Sequence, residues 1–209
     1  MSSKDYFNQI AGQWDTMRTA FFSEAVREKA YAAAGVRAGM LAADIGAGSG
    51  FITEGLLRGG LRVICVDQSQ AMLDEMRRKF AGADVDLRRG EAESLPVADE
   101  SVEAAFANMY LHHVERPAQA ISEMKRLLKP GGRLVITDLD EHNFEFLRKE
   151  QHDRWLGFKR EHVRTWLVDA GLVEVAVDCV GESCCAGSNC VSETANVSIF
   201  VASGTRPGA

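Results

Sequence analysis

Apolar positions along this chain alternate between two rhythms. Short runs of contiguous or every-other-residue apolar character fall at 40–45, 61–66, 85–87, 102–107, 133–137, 172–180 and 195–202, and each predicts a strand. Val63, Ile64 and Val66 form the most continuous run, as expected for a strand covered on both faces. Between these runs apolar residues recur at helical spacing. Met72, Leu73, Met76 and Phe80 mark a helix over 70–80, Ala120, Ile121, Met124, Leu127 and Leu128 one over 117–128, and Val163, Trp166, Leu167 and Ala170 one over 160–170. Further helices are predicted at 23–34, 51–58 and 144–151. Pro117 suits a first helical turn, whereas Lys129-Pro130-Gly131-Gly132 stops the helix and turns the chain. Strand–helix alternation predicts an α/β fold with a mostly parallel sheet and helices on both faces. No helix separates the last two strands, so a hairpin is expected to make the final strand antiparallel.

The composition fits one soluble domain. The chain has 209 residues, 46% of them apolar and 26% charged. No stretch approaches the ~18 consecutive apolar residues of a membrane span, and the start lacks a signal-like apolar core, so a cytoplasmic setting is expected. A formal net charge of −6 argues against a nucleic-acid substrate. Five cysteines are present, and Cys179, Cys184, Cys185 and Cys190 fall within one short segment. In a reducing compartment such a cluster points to metal or redox chemistry before disulfides. Cys65, inside an apolar strand, reads as core.

The most informative segment is Asp44-Ile45-Gly46-Ala47-Gly48-Ser49-Gly50-Phe51, at the junction of a predicted strand and helix. Glycines there let the backbone approach a ligand, and the helix start offers free N–H groups. The next strand ends in Asp67-Gln68, where a carboxylate can accept both hydroxyls of an adenosine ribose. A dinucleotide fingerprint, G-x-G-x-x-G/A, would need a small residue where Phe51 stands. The spacing instead fits D-x-G-x-G-x-G, which resembles the nucleoside loop of class I S-adenosylmethionine (SAM) methyltransferases. A turn in a non-binding domain and an NAD(P)-dependent oxidoreductase stay open as alternatives.

The resemblance extends along the chain. Arg89-Gly90-Glu91-Ala92-Glu93-Ser94-Leu95-Pro96, the segment ending Leu111-His112-His113-Val114, and Lys129-Pro130-Gly131-Gly132-Arg133-Leu134 are similar to segments of the ubiquinone/menaquinone C-methyltransferase-like (methyltransferase type 11) group. Residues 6–15 resemble its N-terminal segment, with Trp14 in place of Tyr. The resemblance implies a Rossmann-like, seven-stranded fold in a single domain, with 1–35 as a helical lid, 36–140 as the SAM-binding core and 141–209 supplying acceptor-side helices and the final strands. It implies SAM as cofactor, S-adenosylhomocysteine as product and a small-molecule acceptor. Gly46, Ala47, Gly48 and Gly50 would shape the cofactor site, Asp44 orient the amino-acid end, and Asp67 and Gln68 meet the ribose. Glu91 and Ala92 would meet adenine, while Asn108 and Trp14 cover the methionine side. Glu91 departs from the group's usual Asp by one methylene.

The sulfonium of SAM is already a strong methyl donor, so positioning and acceptor deprotonation are what the protein must supply. Asn108, Tyr110, His112 and His113, beyond the fourth strand, stand near the catalytic edge. Of these, Asn108, His112 and His113 are the candidate catalytic residues, and an imidazole there would serve as general base. A purely structural role for the histidine pair, capping the turn before Pro117, is the competing reading. The acids and histidine of 138–144, after the fifth strand, are candidates for lining the acceptor pocket, against the reading of a solvated helix start. Cys179–Cys190 is expected to be a loop between the last two strands at the ligand edge. Cys184, Cys185 and Cys190 would then suit a thiophilic acceptor such as arsenite or a thiol, or a soft metal. An incidental thiol loop, and a non-catalytic thiol- or metal-binding protein on this scaffold, are the alternatives. A homodimer stays open.

Overall fold

The computed structural model describes residues 3–188 and 194–208. Its sheet has seven strands: β1 (Leu41–Ile45), β2 (Arg62–Asp67), β3 (Val85–Arg89), β4 (Val102–Asn108), β5 (Leu128–Leu139), β6 (Val173–Gly187) and β7 (Thr194–Thr205). They lie in the order β3-β2-β1-β4-β5-β7-β6. The first five pair in parallel, while β7 runs antiparallel to both β5 and β6. The expected sheet and its C-terminal antiparallel hairpin are therefore present.

Alternation along the strands divides the core into two layers. Ala42, Val63 and Phe106 point to one face, beneath α2 (Ala25–Ala34), α3 (Phe51–Arg58) and α4 (Gln70–Lys79). Ala43, Ile64 and Ala105 point to the other, where α5 (Pro117–Leu127) and α7 (Arg160–Asp169) lie. Cys65 is fully buried in the first layer, as its strand position predicts. β1 is followed by α3, and β4 by a 3-10 turn (Leu111–His113), so the strands' carboxyl ends carry the glycine loop and the histidine pair side by side. Ligands of open α/β sheets sit at this edge, between strands whose connections leave in opposite directions.

Two elements differ from the sequence expectation. The stretch from Cys179 is no loop: β6 continues to Gly187, pairs Ser183–Gly187 with Ser198–Thr194 and bulges between Cys179 and Ser183. Cross-strand partners on β7 override the turn-like Gly, Ser and Glu composition of this segment. Likewise β5 already starts at Leu128, and Lys129–Gly132 is a bulge between its pairings with Val102 and Ala104. The segment expected to form a lid contains α1 (Ser3–Arg18) and then α2, and Tyr6 of α1 donates to Gln151, directly after α6 (Glu145–Glu150), at 2.8 Å. Among the described residues no helix is long and apolar enough to cross a membrane.

Candidate active site

The glycine loop follows β1 because its backbone cannot be made by other residues. Gly46, Gly48 and Gly50 all have positive φ (67°, 53° and 89°). A Cβ on Gly46 would also fall 2.1 Å from the Tyr110 ring, and one on Gly50 2.4 Å from the Phe80 ring. The loop is anchored from below, with the amides of Gly46 and Ala47 donating to the Val66 carbonyl at 2.8 and 3.1 Å. Asp67, at the end of β2, accepts from Gly48 N at 2.9 Å and from Ser69 N at 2.8 Å, tying the loop to the start of α4.

Asp44 lies deeper. It is 1% exposed and accepts from Thr53 through the hydroxyl (2.6 Å) and the amide (3.1 Å). Burial lifts its pKa to about 6, against the opposing pull of Thr53, and lifts that of Asp67 as well. The folded state therefore holds this proton more tightly than the unfolded chain. The stability Asp44 contributes is fully present below its ordinary value near 4 and is lost as pH rises through about 6. Asp44→Asn, which keeps an acceptor for Thr53, should accordingly gain stability over wild type at pH 7.5, by about 1–3 kcal/mol. Much of that gain should vanish at pH 5. Urea unfolding at the two pH values checks it, and an equal difference at both would refute it.

Around this loop is a cleft of about 660 Å³, open mouth included. Asp44, Gly46, Ala47, Gly48, Asp67, Gln68 and Asn108 line it from the core, and Phe7, Trp14 and Arg18 of α1 close it from above. Asn108 is held by the Thr137 hydroxyl, which donates to its side-chain oxygen at 2.7 Å. The Arg18 guanidinium lies 4.2 Å over the Phe51 ring, and its Nε is buried without a partner.

A second cavity of about 470 Å³ adjoins the first. Phe7, Trp14, Phe22, Met109 and His113 line both. Its remaining walls are mostly apolar, from Phe21, Leu139, Leu147 and Ala186, with His112, Asp153, Gln151 and Cys184 as the polar members. His112 is fixed by Asp138, whose Oδ1 lies 2.6 Å from Nδ1 and whose Oδ2 accepts the His112 amide at 3.2 Å. The His112 carbonyl accepts from the amides of Arg154 and Trp155, both at 3.0 Å, which brings Asp153 to the histidine pair. Despite desolvation, the charges of Asp138 and Asp153 raise the His112 pKa to about 9. Burial and its charged neighbour push that of His113 well down, and burial lifts that of Asp153 to about 6.

This arrangement has known counterparts. Residues 43–136 match the family described as a methyltransferase domain. Residues 43–136 thus resemble a methyltransferase domain, and the chain has the fold of solved SAM-dependent methyltransferases. It is 37% identical over 145 residues to a biotin biosynthesis bifunctional protein of Cellvibrio japonicus, covering 68% of this chain and 28% of that protein. It is 36% identical over 112 residues to a demethylmenaquinone methyltransferase of Renibacterium salmoninarum, covering 54% and 46%. Both matches thus span less than half of the relative's length. In fold it is similar to a chain from the complex between the Haloferax volcanii Trm112 methyltransferase activator and a methyltransferase, with a TM-score of 0.80 at 21% identity and coverage of 100% and 99%.

The fold gathers most, though not all, of the residues singled out from the sequence. Asp44, Gly46, Ala47, Gly48, Asp67, Gln68, Asn108 and Trp14 line the first cavity. Gly50 does not, because it is packed against Phe80 and Met76. Glu91 is exposed and Ala92 is buried in the core with Leu95 and Val97, so neither reaches the cavity wall. Tyr110 lines it as well, and burial raises its pKa, with the charges of Asp67, Glu93 and Glu91 adding to the rise. The described cysteines do not converge. Cys184 lines the second cavity and its neighbour Cys185 is exposed, since consecutive strand residues face opposite ways. Cys179 is exposed beside Arg160, and Cys190 lies outside the described residues. Burial, with Asp153 next in effect, pushes the Cys184 thiol up to about 12.

Sequence reasoning did not single out Arg18 or Asp153 as site residues, whereas Asp138 belongs to the stretch after the fifth strand whose acids and histidine were candidates for the acceptor pocket. Arg18 is one of two cations in a polar helix, the other being Lys4, and Asp153 reaches the site through long-range backbone hydrogen bonds. Asp138 carried a weak signal, an acid directly after a strand at the ligand edge.

Proposed function

We propose that this protein is a cytoplasmic methyltransferase that transfers the methyl group of SAM to a small, largely apolar acceptor bearing one ionisable nucleophilic atom. The observation that carries the reading is the pair of adjoining cavities sharing Met109 and His113. Asp67 keeps lone pairs free for the ribose hydroxyls, because each carboxylate oxygen has room for a second donor. Asp44 adds negative charge near a cationic methyl donor, and Arg18 offers a partnerless N–H to its carboxylate. The methyl group would face the seam between cavities, and the acceptor would fill the second.

The aromatic and aliphatic walls of that second cavity exclude water and position the acceptor for in-line attack. Among the described residues Cys184 is the one cavity-facing thiol, which favours an organic acceptor over arsenite, since a soft metalloid is held by several sulfurs. A quinol, phenol or thiol therefore fits better. Calorimetric titration with SAM, S-adenosylhomocysteine and NAD(H), followed by S-adenosylhomocysteine release assays with arsenite, thiols, quinols and phenols, tests this. Binding of the two adenosyl ligands and turnover of an organic acceptor are expected. Nicotinamide binding without SAM binding would overturn the reading, and turnover of arsenite alone would overturn the acceptor assignment.

A further inference from the structure

We propose that His112, His113 and Asp153 form a binding site for one divalent transition-metal ion, zinc by preference, in the wall of the acceptor cavity. The inference rests on reading that cavity as the acceptor site, and it adds how the acceptor's reacting atom is held and activated.

One ligand atom from each residue lies within 4.8 Å of the other two. Asp153 Oδ1 is 3.7 Å from His112 Nε2 and 3.9 Å from His113 Nδ1. Donors around a tetrahedral zinc with bonds of about 2.0–2.2 Å stand about 3.3–3.6 Å apart, so shifts of a few tenths of an ångström complete these two edges.

The surroundings are built for such an ion. Asp138 engages His112 Nδ1 at 2.6 Å, which directs Nε2 toward Asp153. A carboxylate behind a histidine in this way fixes the tautomer and orientation of a metal-binding imidazole. Asp138 is itself held by the amides of His112 and Leu139. The second, independent observation is a pair of orphans. His113 Nδ1 and Asp153 Oδ1 have no hydrogen-bond partner, although the two side chains are only 8% and 3% exposed. A buried polar atom left unpaired costs about 1–3 kcal/mol, and here two face each other. A metal ion satisfies both of them and His112 Nε2 at once.

Two imidazoles with one carboxylate suit zinc or cobalt far better than magnesium, which prefers oxygen donors. Three protein ligands leave a fourth position for the acceptor, the arrangement of catalytic zinc sites. Cys184 lines the same cavity without belonging to the triad. A thiol or hydroxyl bound at the fourth position is acidified and loses its proton to water. The resulting anion attacks the methyl carbon. The new bond to the acceptor forms as the sulfur–methyl bond breaks, and the electron pair stays on the sulfur of S-adenosylhomocysteine.

The test is calorimetry of tag-free, chelator-stripped full-length protein with Zn²⁺, and absorption spectroscopy with Co²⁺ as a coloured substitute. SAM is titrated into the same samples. One equivalent of metal should bind. Asp153→Asn and His113→Ala should each weaken binding at least as much as Asp138→Asn, for which loss of an orienting carboxylate predicts about 10–100-fold. Cys184→Ser should retain the metal and the visible Co²⁺ bands. Wild-type protein that binds SAM but no metal would overturn the proposal and leave the methyltransferase reading intact. So would unaltered metal affinity in both Asp153→Asn and His113→Ala, which would place the ion elsewhere, as on the exposed cysteines. Metal binding without SAM binding would support the metal site and overturn the functional reading.

Discussion

An Asp67→Ala variant is expected to bind SAM at least about 100-fold more weakly than wild type. Two effects add. The side chain offers lone pairs for the ribose hydroxyls, and hydrogen bonds to an ionised acceptor contribute about 1.5–3 kcal/mol each. It also holds the glycine loop, since Gly48 N and Ser69 N lose their acceptor with it. Asp67→Asn keeps one carbonyl oxygen but replaces the other with a donor, which confronts one of those two amides. It should fall between the two. Calorimetry with S-adenosylhomocysteine measures the affinities, and circular dichroism confirms that each variant folds. Wild-type affinity in Asp67→Ala would remove this residue from the cofactor site.

The second large effect is expected at His113. His113→Ala should lower kcat for acceptor methylation by about 10²–10⁴, the range for losing a group that assists proton removal. Affinity for SAM should change far less, because the carboxylates and the glycine loop stay in place. His113 Nδ1 has no partner and faces Asp153 Oδ1, itself unpaired, so truncation costs the ring's hydrogen bond to the His152 backbone and breaks no buried ion pair. His112 is different. Removing it leaves Asp138 buried at 0% exposure without its closest side-chain partner, and breaking such a pair is destabilising by about 3–5 kcal/mol. Single-turnover kinetics and urea unfolding of His112→Ala and His113→Ala separate the two roles. Equal rates in His113→Ala and wild type would rule the residue out of the chemistry.

What the sequence made legible follows physical locality. The helix expected at 51–58 is α3, with the same bounds, because positive-φ glycines precede it and Gly59 follows it. The placement of Asp44, Asp67 and Asn108 around one cavity was readable too, since strand ends in a parallel sheet must share an edge. Tyr110 was legible on the same ground, as a residue just past the fourth strand, whereas Glu91 and Ala92, read from a local motif, lie outside the cavity wall. Asp153 was illegible because its position is set by residues distant in sequence. It is positioned by the His112 carbonyl, some forty residues away in sequence, acting on the amides that follow it. The cysteine segment looked like a loop because its own composition favours turns, while its strand character comes from β7.

Helix α1 has a consequence for the timing of the reaction. Asn8 accepts from Ser69 at 2.7 Å, Asp15 accepts from Ser49 and pairs with Lys79, and Tyr6 donates to Gln151 at 2.8 Å. Phe7 and Trp14 roof both cavities. With donor and acceptor in the two cavities as proposed, α1 covers both of them. Exchange of either ligand past α1 would then break the same set of contacts. The spent cofactor is then expected to leave no faster than α1 moves aside, so turnover should slow as solvent viscosity rises even when the methyl transfer itself is fast.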